Sequence, residues 1–116
     1  VNTPDPENAT TEEPVGTENP GITMIKAERL RQIAAEGYTP EHDAEHPDGE
    51  LARAGATYAL WAAGTVRPGS IPYDAMRWWP PDWKFGYDDG PVRALAKAGA
   101  LIAAEIDRLT AKGCVL

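Results

Sequence analysis

The chain has 116 residues, enough for one domain with a modest core. Its net charge is −7, and five acids (Asp5, Glu7, Glu12, Glu13 and Glu18) precede any lysine or arginine, so the remainder carries close to −2. That balance excludes a basic duplex-nucleic-acid surface, no apolar run reaches membrane-spanning length, and the single cysteine, Cys114, excludes an intramolecular disulfide.

Residues 1–22 are rich in Pro, Glu, Thr and Asn and offer almost nothing to bury. They are expected to form a disordered acidic tail ahead of a single helical domain over 23–113. The first helix is predicted from Met24 to Glu36, capped by Thr23 and ended by Gly37. Ile25, Leu30, Ile33 and Ala34 form its partial apolar stripe, with Glu28, Arg29, Arg31 and Gln32 around it. A short helical turn is predicted over Pro40–His46, with Thr39 as N-cap and Pro40 at the first helical position. The second main helix runs from near Asp48 to Gly64, with Leu51, Ala54, Gly55, Tyr58 and Ala62 on one face.

Residues 65–90 carry Pro68, Pro72, Pro80 and Pro81 with several glycines, so no regular element of any length fits there. The loop also holds Trp78, Trp79, Trp83, Phe85 and Tyr87, which favour burial or a partner over disorder. The third main helix opens with Pro91 in its first turn, capped by Asp88 or Asp89, and Gly113 follows its end. Val92, Leu95, Gly99, Ile102, Ile106 and Leu109 alternate at three and four residues, while Ala94, Ala98 and Leu101 add apolar surface on another side. A helix this widely apolar belongs in the middle of a bundle or in a subunit interface, so a homo-oligomer is expected. No alternating strand pattern appears, and the fold class is all-α: three main helices with a long Trp/Pro-rich loop.

Two stretches concentrate chemistry. Residues 36–51 hold both histidines and six carboxylates. His42 and His46 are four apart, the spacing of a metal-binding pair on a helix, and Asp43, Glu45, Asp48 or Glu50 could complete a shell for a divalent ion. The plainer alternative is a solvated acidic loop whose histidines pair with carboxylates. Glu41, Asp43, Glu45, Asp48 and Glu50 also have the oxygen chemistry of a Mg²⁺ site, as in all-α nucleotide pyrophosphohydrolases. Here Pro47 interrupts the spacing and the second acidic helix pair is absent. His42-Asp43 matches the dipeptide of the HD phosphohydrolases, but the further histidine of that site is missing. In the second stretch, Trp78, Trp79 and Trp83 have the faces of a base platform, while Arg77, Lys84 and Arg93 have the charge to meet phosphate. The alternative is a lid of tryptophans over a small core. Lys97, on an Ala/Gly-rich run, is either an exposed residue or the cation of a buried anion site.

The combination of Glu28-Arg29, Arg31-Gln32-Ile33, Glu36-Gly37-Tyr38-Thr39, His42-Asp43, His46, Gly49-Glu50-Leu51-Ala52 and Tyr58-Ala59 resembles a family of short proteins of tailed phages and prophages. Trp78-Trp79-Pro80, Trp83-Lys84 and the run from Lys97 to Leu109 extend the resemblance to roughly residues 24–110. The resemblance implies a phage accessory role in the cytoplasm of a bacterial host, and no assigned activity. The first expectation is therefore a non-enzymatic binder of a small nucleotide-derived ligand, sequestering a host immune signal. His42, Asp43, His46 and Glu50 would read ribose hydroxyls, tryptophans would stack the base, and Arg77, Lys84 and Arg93 would meet phosphate. The alternatives are a metal-dependent nucleotide hydrolase and an adaptor or inhibitor of a host protein.

Overall fold

The computed structural model describes residues 19–69, 75–86 and 90–113. Among these the protein is all-α, with four helices, one 3-10 turn and no strand. No helix of the described residues is long and apolar enough to cross a membrane.

Helix α1 spans Pro20–Glu36 and so begins before the expected Met24. Pro20 explains the early start, because its fixed φ suits the first helical position and its missing N–H is not needed there. Residues 20–22 thus belong to the helix, and Thr23 is not its cap; the Thr23 hydroxyl donates back to the Asn19 carbonyl at 3.3 Å. The rest of the expected tail, residues 1–18, lies outside the described residues. Gly37 ends the helix in the left-handed region (φ 74°), letting the Tyr38 amide return to the Gln32 carbonyl at 3.0 Å.

Helix α2 spans only Pro40–Ala44. Thr39 caps it as expected, its hydroxyl oxygen accepting from the His42 amide at 3.2 Å. The helix stops short of His46 because His46 precedes Pro47, and the residue before a proline is pushed out of helical geometry. Helix α3 spans Glu50–Val66 behind Gly49 (φ 83°), and the Glu50 carboxylate accepts from the Asp48 amide at 2.7 Å. A 3-10 turn over Ala75–Trp78 is the one regular piece in the Trp/Pro-rich loop among the described residues. Helix α4 spans Pro91–Ala111, with Gly90 at the N-cap position; the expected caps Asp88 and Asp89 lie outside the described residues.

Helix α4 is the centre of the molecule and packs against α1, α2 and α3. The predicted face of α3 is the buried one: Leu51, Ala54, Tyr58 and Ala62 pack on Ala94, Ala98, Leu101 and Ala104 of α4, and Phe85 closes the cluster. Small residues set the distance. A Cβ added at Gly55 would lie 3.1 Å from the Ala98 carbonyl oxygen and 3.1 Å from an Ile102 side-chain carbon.

Two faces differ from expectation. The large residues of the α4 stripe point outward: Val92, Leu95, Ile102 and Ile106 are all exposed, and the alanine side is buried. On α1 the polar residues Glu28 and Gln32 are buried, while Leu30 is 67% exposed and Ala34 is exposed. The physical reason is common to both. Alanines and Gly55 bring α3 and α4 close at Ala98, and α1 meets α4 both through Ile25 on Gly99 and beside Arg93 and Lys97, which favour polar partners.

This packing makes a direct prediction. Gly55→Leu should lower the unfolding free energy in urea by about 1–3 kcal/mol, because the backbone carbonyl of Ala98 has little room to move. An unchanged urea midpoint would contradict the close approach.

Candidate functional site

Glu28, Gln32 and Glu36 stand four residues apart on α1 and therefore share one helix face. Glu28 is 4% exposed and is held by two guanidinium groups. Arg93 Nε lies 3.0 Å from Glu28 Oε1 in an ion pair, and Arg31 Nε donates to Glu28 Oε2 at 3.0 Å. The hydrogen bond to Glu28 holds Arg31 firmly protonated, outweighing the opposite effect of burial, and Glu36 adds to it. This explains why a carboxylate can be buried here: it is paired on both oxygens.

One turn further on, Gln32 is 3% exposed, and its Oε1 has no hydrogen-bond partner among the described residues. Leaving a buried amide oxygen unpartnered costs about 1–3 kcal/mol. Gln32 lines a polar cavity of about 30 Å³, room for a water or one polar group. Glu36 and Tyr38 form one wall, Tyr58 and Lys97 another, and Trp83 with Lys84 close it from the loop. Lys97 Nζ lies 5.4 Å over the Tyr58 ring. Burial, reinforced by Glu36, pushes the Tyr38 hydroxyl up to about 12.

The cavity shares Tyr38 and Trp83 with an aromatic column. Tyr38 stacks on His42 with centroids 4.9 Å apart, His42 meets His46 at 4.7 Å, and His46 meets the Trp83 ring edge-on at 5.1 Å. The base of the column is Asp43, 1% exposed. Its carboxylate lies 3.0 Å from His42 Nδ1 and accepts from Arg29 Nη2 at 3.3 Å. Arg29 also donates to the Tyr38 carbonyl at 3.2 Å, and its Nη2 lies 3.7 Å from Asp107. Asp43 therefore orients the His42 ring while Arg29 ties α1, α2 and α4 together. His46 Nδ1 lies 3.8 Å from Glu50 Oε2. Burial pushes the Glu50 carboxyl up, but the backbone amides of Glu50 and Asp48, with His46 and Arg53, hold it below its ordinary value.

The expected site residues are thus sorted into four places. His42, Asp43, His46, Glu50, Trp83 and Lys84 gather around the column and the cavity. Trp79 belongs to the core and also lines the cavity: it meets Tyr58 at 5.4 Å and Phe85 at 4.9 Å edge-on, and its Nε1 donates to the Trp83 carbonyl at 2.6 Å. Trp78 faces outward, 47% exposed, with the Arg77 guanidinium 4.8 Å over its ring. Arg93 is engaged with Glu28. The three tryptophans therefore do not form one platform, because Trp79 is needed to roof Tyr58 and Phe85. Among the described residues no three His, Cys, Asp or Glu side chains are grouped to hold a metal ion, and Asp43 is committed to Arg29 and His42.

Gln32, Glu28, Glu36 and Tyr38 were not among the expected site residues. Their signal is the polar run at positions 28, 32 and 36, which reads as a solvated face until α4 is known to cover it. A larger groove of about 630 Å³ lies between the starts of α1 and α4, but its walls are mostly apolar and its charges, Arg31, Glu28 and Arg93, neutralise one another. Compared with known proteins, the chain matches no family model, no curated protein and no solved structure.

The Tyr38 environment predicts a pH dependence. Because folding raises this hydroxyl from 10.0 to about 12, its contribution to stability is complete below pH 10 and is lost as pH rises through 12. Unfolding free energies of wild type and Tyr38→Phe should diverge over that window, with the wild type falling faster. Parallel curves would contradict the burial of this hydroxyl.

Proposed function

We propose that the protein is a non-enzymatic binder of a small nucleotide-derived ligand, seated at the cavity between α1, α4 and the Trp83–Lys84 edge. The observation that carries this reading is the unpartnered Oε1 of Gln32 in an otherwise polar cavity. An orphaned acceptor calls for a donor, and a ribose hydroxyl or an exocyclic amine supplies one. Around it stand groups of complementary chemistry. Lys84 and Lys97 bring positive charge for an anionic group, Glu36 accepts a second hydroxyl, and Trp83 with His46 offers ring surface to a base.

In the present arrangement the cavity admits one functional group, so the rest of a nucleotide-sized ligand enters by displacing the Trp83–Lys84 edge. That edge is a loop held to the core through Trp79 and Phe85, and its movement changes the surroundings of two tryptophans. The resemblance to short phage and prophage proteins gives such binding a use: removal of a nucleotide signal from the host cytoplasm.

Titration calorimetry with linear and cyclic ADP-ribose and with cyclic dinucleotides tests the reading, with tryptophan fluorescence followed in parallel. One of these ligands should give saturable heat and a shift in emission, and Gln32→Leu should weaken it about tenfold, the loss of one buried hydrogen bond. No heat and no emission change with any of them would refute the proposal. Consumption of the ligand, halted by a chelator and by Glu50→Gln, would make the protein a metal-dependent hydrolase instead.

A further inference from the structure

We infer that the outer face of α4 is a homodimer seam, filled by the same face of a second copy of this chain. Val92, Leu95, Gly99, Ile102 and Ile106 follow one another at three and four residues, the repeat of a coiled-coil seam. Four of them are large, and all four are exposed: 59% for Val92, 49% for Leu95, 46% for Ile102 and 56% for Ile106. Among the described residues the rest of the fold touches this line at its edges: Ile25 sits over Gly99, Ile102 borders Gly55 of α3, and Val92 lines the groove between α1 and α4. From 92 to 106 the seam runs about 21 Å along the helix.

Three observations select a second copy as the occupant. A straight seam with this repeat fits a helix of the same repeat, and α4 itself is that helix; a two-fold axis then pairs the face with itself. No seam position of α4 is charged, and the acids that flank it, Glu105 and Asp107, are held within the chain by Arg108 at 2.7 Å and Arg29 at 3.7 Å. Two copies therefore meet along α4 without unpaired like charges. Finally, the chain alone has a thin core: its largest fully buried side chains are Leu51, Thr57, Asp43 and Pro80, two of them polar. A domain of this size gains the missing apolar burial by association. Two copies joined along the seam bury on the order of 1,000 Å², the lower edge of a specific interface. This seam lies on the opposite side of α4 from Lys97 and Leu101, so it is independent of the ligand cavity.

Sedimentation velocity over a concentration series from about 1 µM to a few hundred micromolar reads the association directly. The mass should rise from the 12.5 kDa of one chain toward twice that value. Leu95→Glu and Ile106→Glu should each hold the protein at the mass of one chain, while Leu30→Glu, an exposed position on α1, should leave the dimer intact. Should a glutamate variant lose its helical circular dichroism, the paired Leu95→Ala and Ile106→Ala variant replaces it and should raise Kd at least tenfold. A wild-type protein that stays at one chain mass throughout overturns the inference. So does a dimer that survives the seam substitutions.

Discussion

At Gly55 the backbone of α3 comes so near the Ala98 carbonyl that even a methyl group would crowd it, and most features of the molecule follow from this approach. Two helices can lie this close only if their facing residues are small, and α4 supplies Ala94, Ala98 and Ala104 for the purpose. The core that results is dense but narrow. Among the described residues its buried large members are Leu51, Tyr58, Phe85 and Leu101, and the tryptophan loop roofs it, with Trp79 edge-on to both Tyr58 and Phe85. Leu101 is the large aliphatic residue of α4 buried in this interface, while Val92, Leu95, Ile102 and Ile106 stay exposed.

The same geometry explains α1. With the alanine face of α4 spent on α3, α1 docks on a side of α4 that carries Arg93 and Lys97, and the matching face is Glu28, Gln32 and Glu36. Glu28 is tolerated because two arginines satisfy it. Asp43 is tolerated because Arg29 and His42 satisfy it. Gln32, one turn after Glu28 on α1, differs from both, since its Oε1 finds no partner among the described residues. Among the described residues that exception is the observation on which the proposed ligand site rests.

Much of this was legible in the residues. The all-α class, the Thr39 cap, the buried face of α3 and the termination of α1 at Gly37 follow from periodicity and from cap chemistry, both of which act locally. The start of α1 was missed because Pro20 was read with the acidic residues before it and not as the first residue of a helix. The orientation of α1 and α4 was not legible for a different reason. Apolar periodicity marks which side of a helix wants to be dry, but which neighbour dries it depends on tertiary distance; the Gly55 contact decides that, and no single-helix pattern contains it. The site was legible in part: His42, Asp43, His46, Glu50 and Trp83 do converge. Gln32 was hidden because an amide on a charged helix looks solvated until a second helix is laid over it.

The central claim is that the orphaned Gln32 acceptor marks a ligand site, and native mass spectrometry of protein released gently from bacterial cells that express it tests it most directly. The account predicts a non-covalent adduct of nucleotide mass on the wild-type protein that is absent from Gln32→Leu, with both proteins folded. A wild-type protein that carries no adduct, or an adduct retained in full by Gln32→Leu, would contradict it.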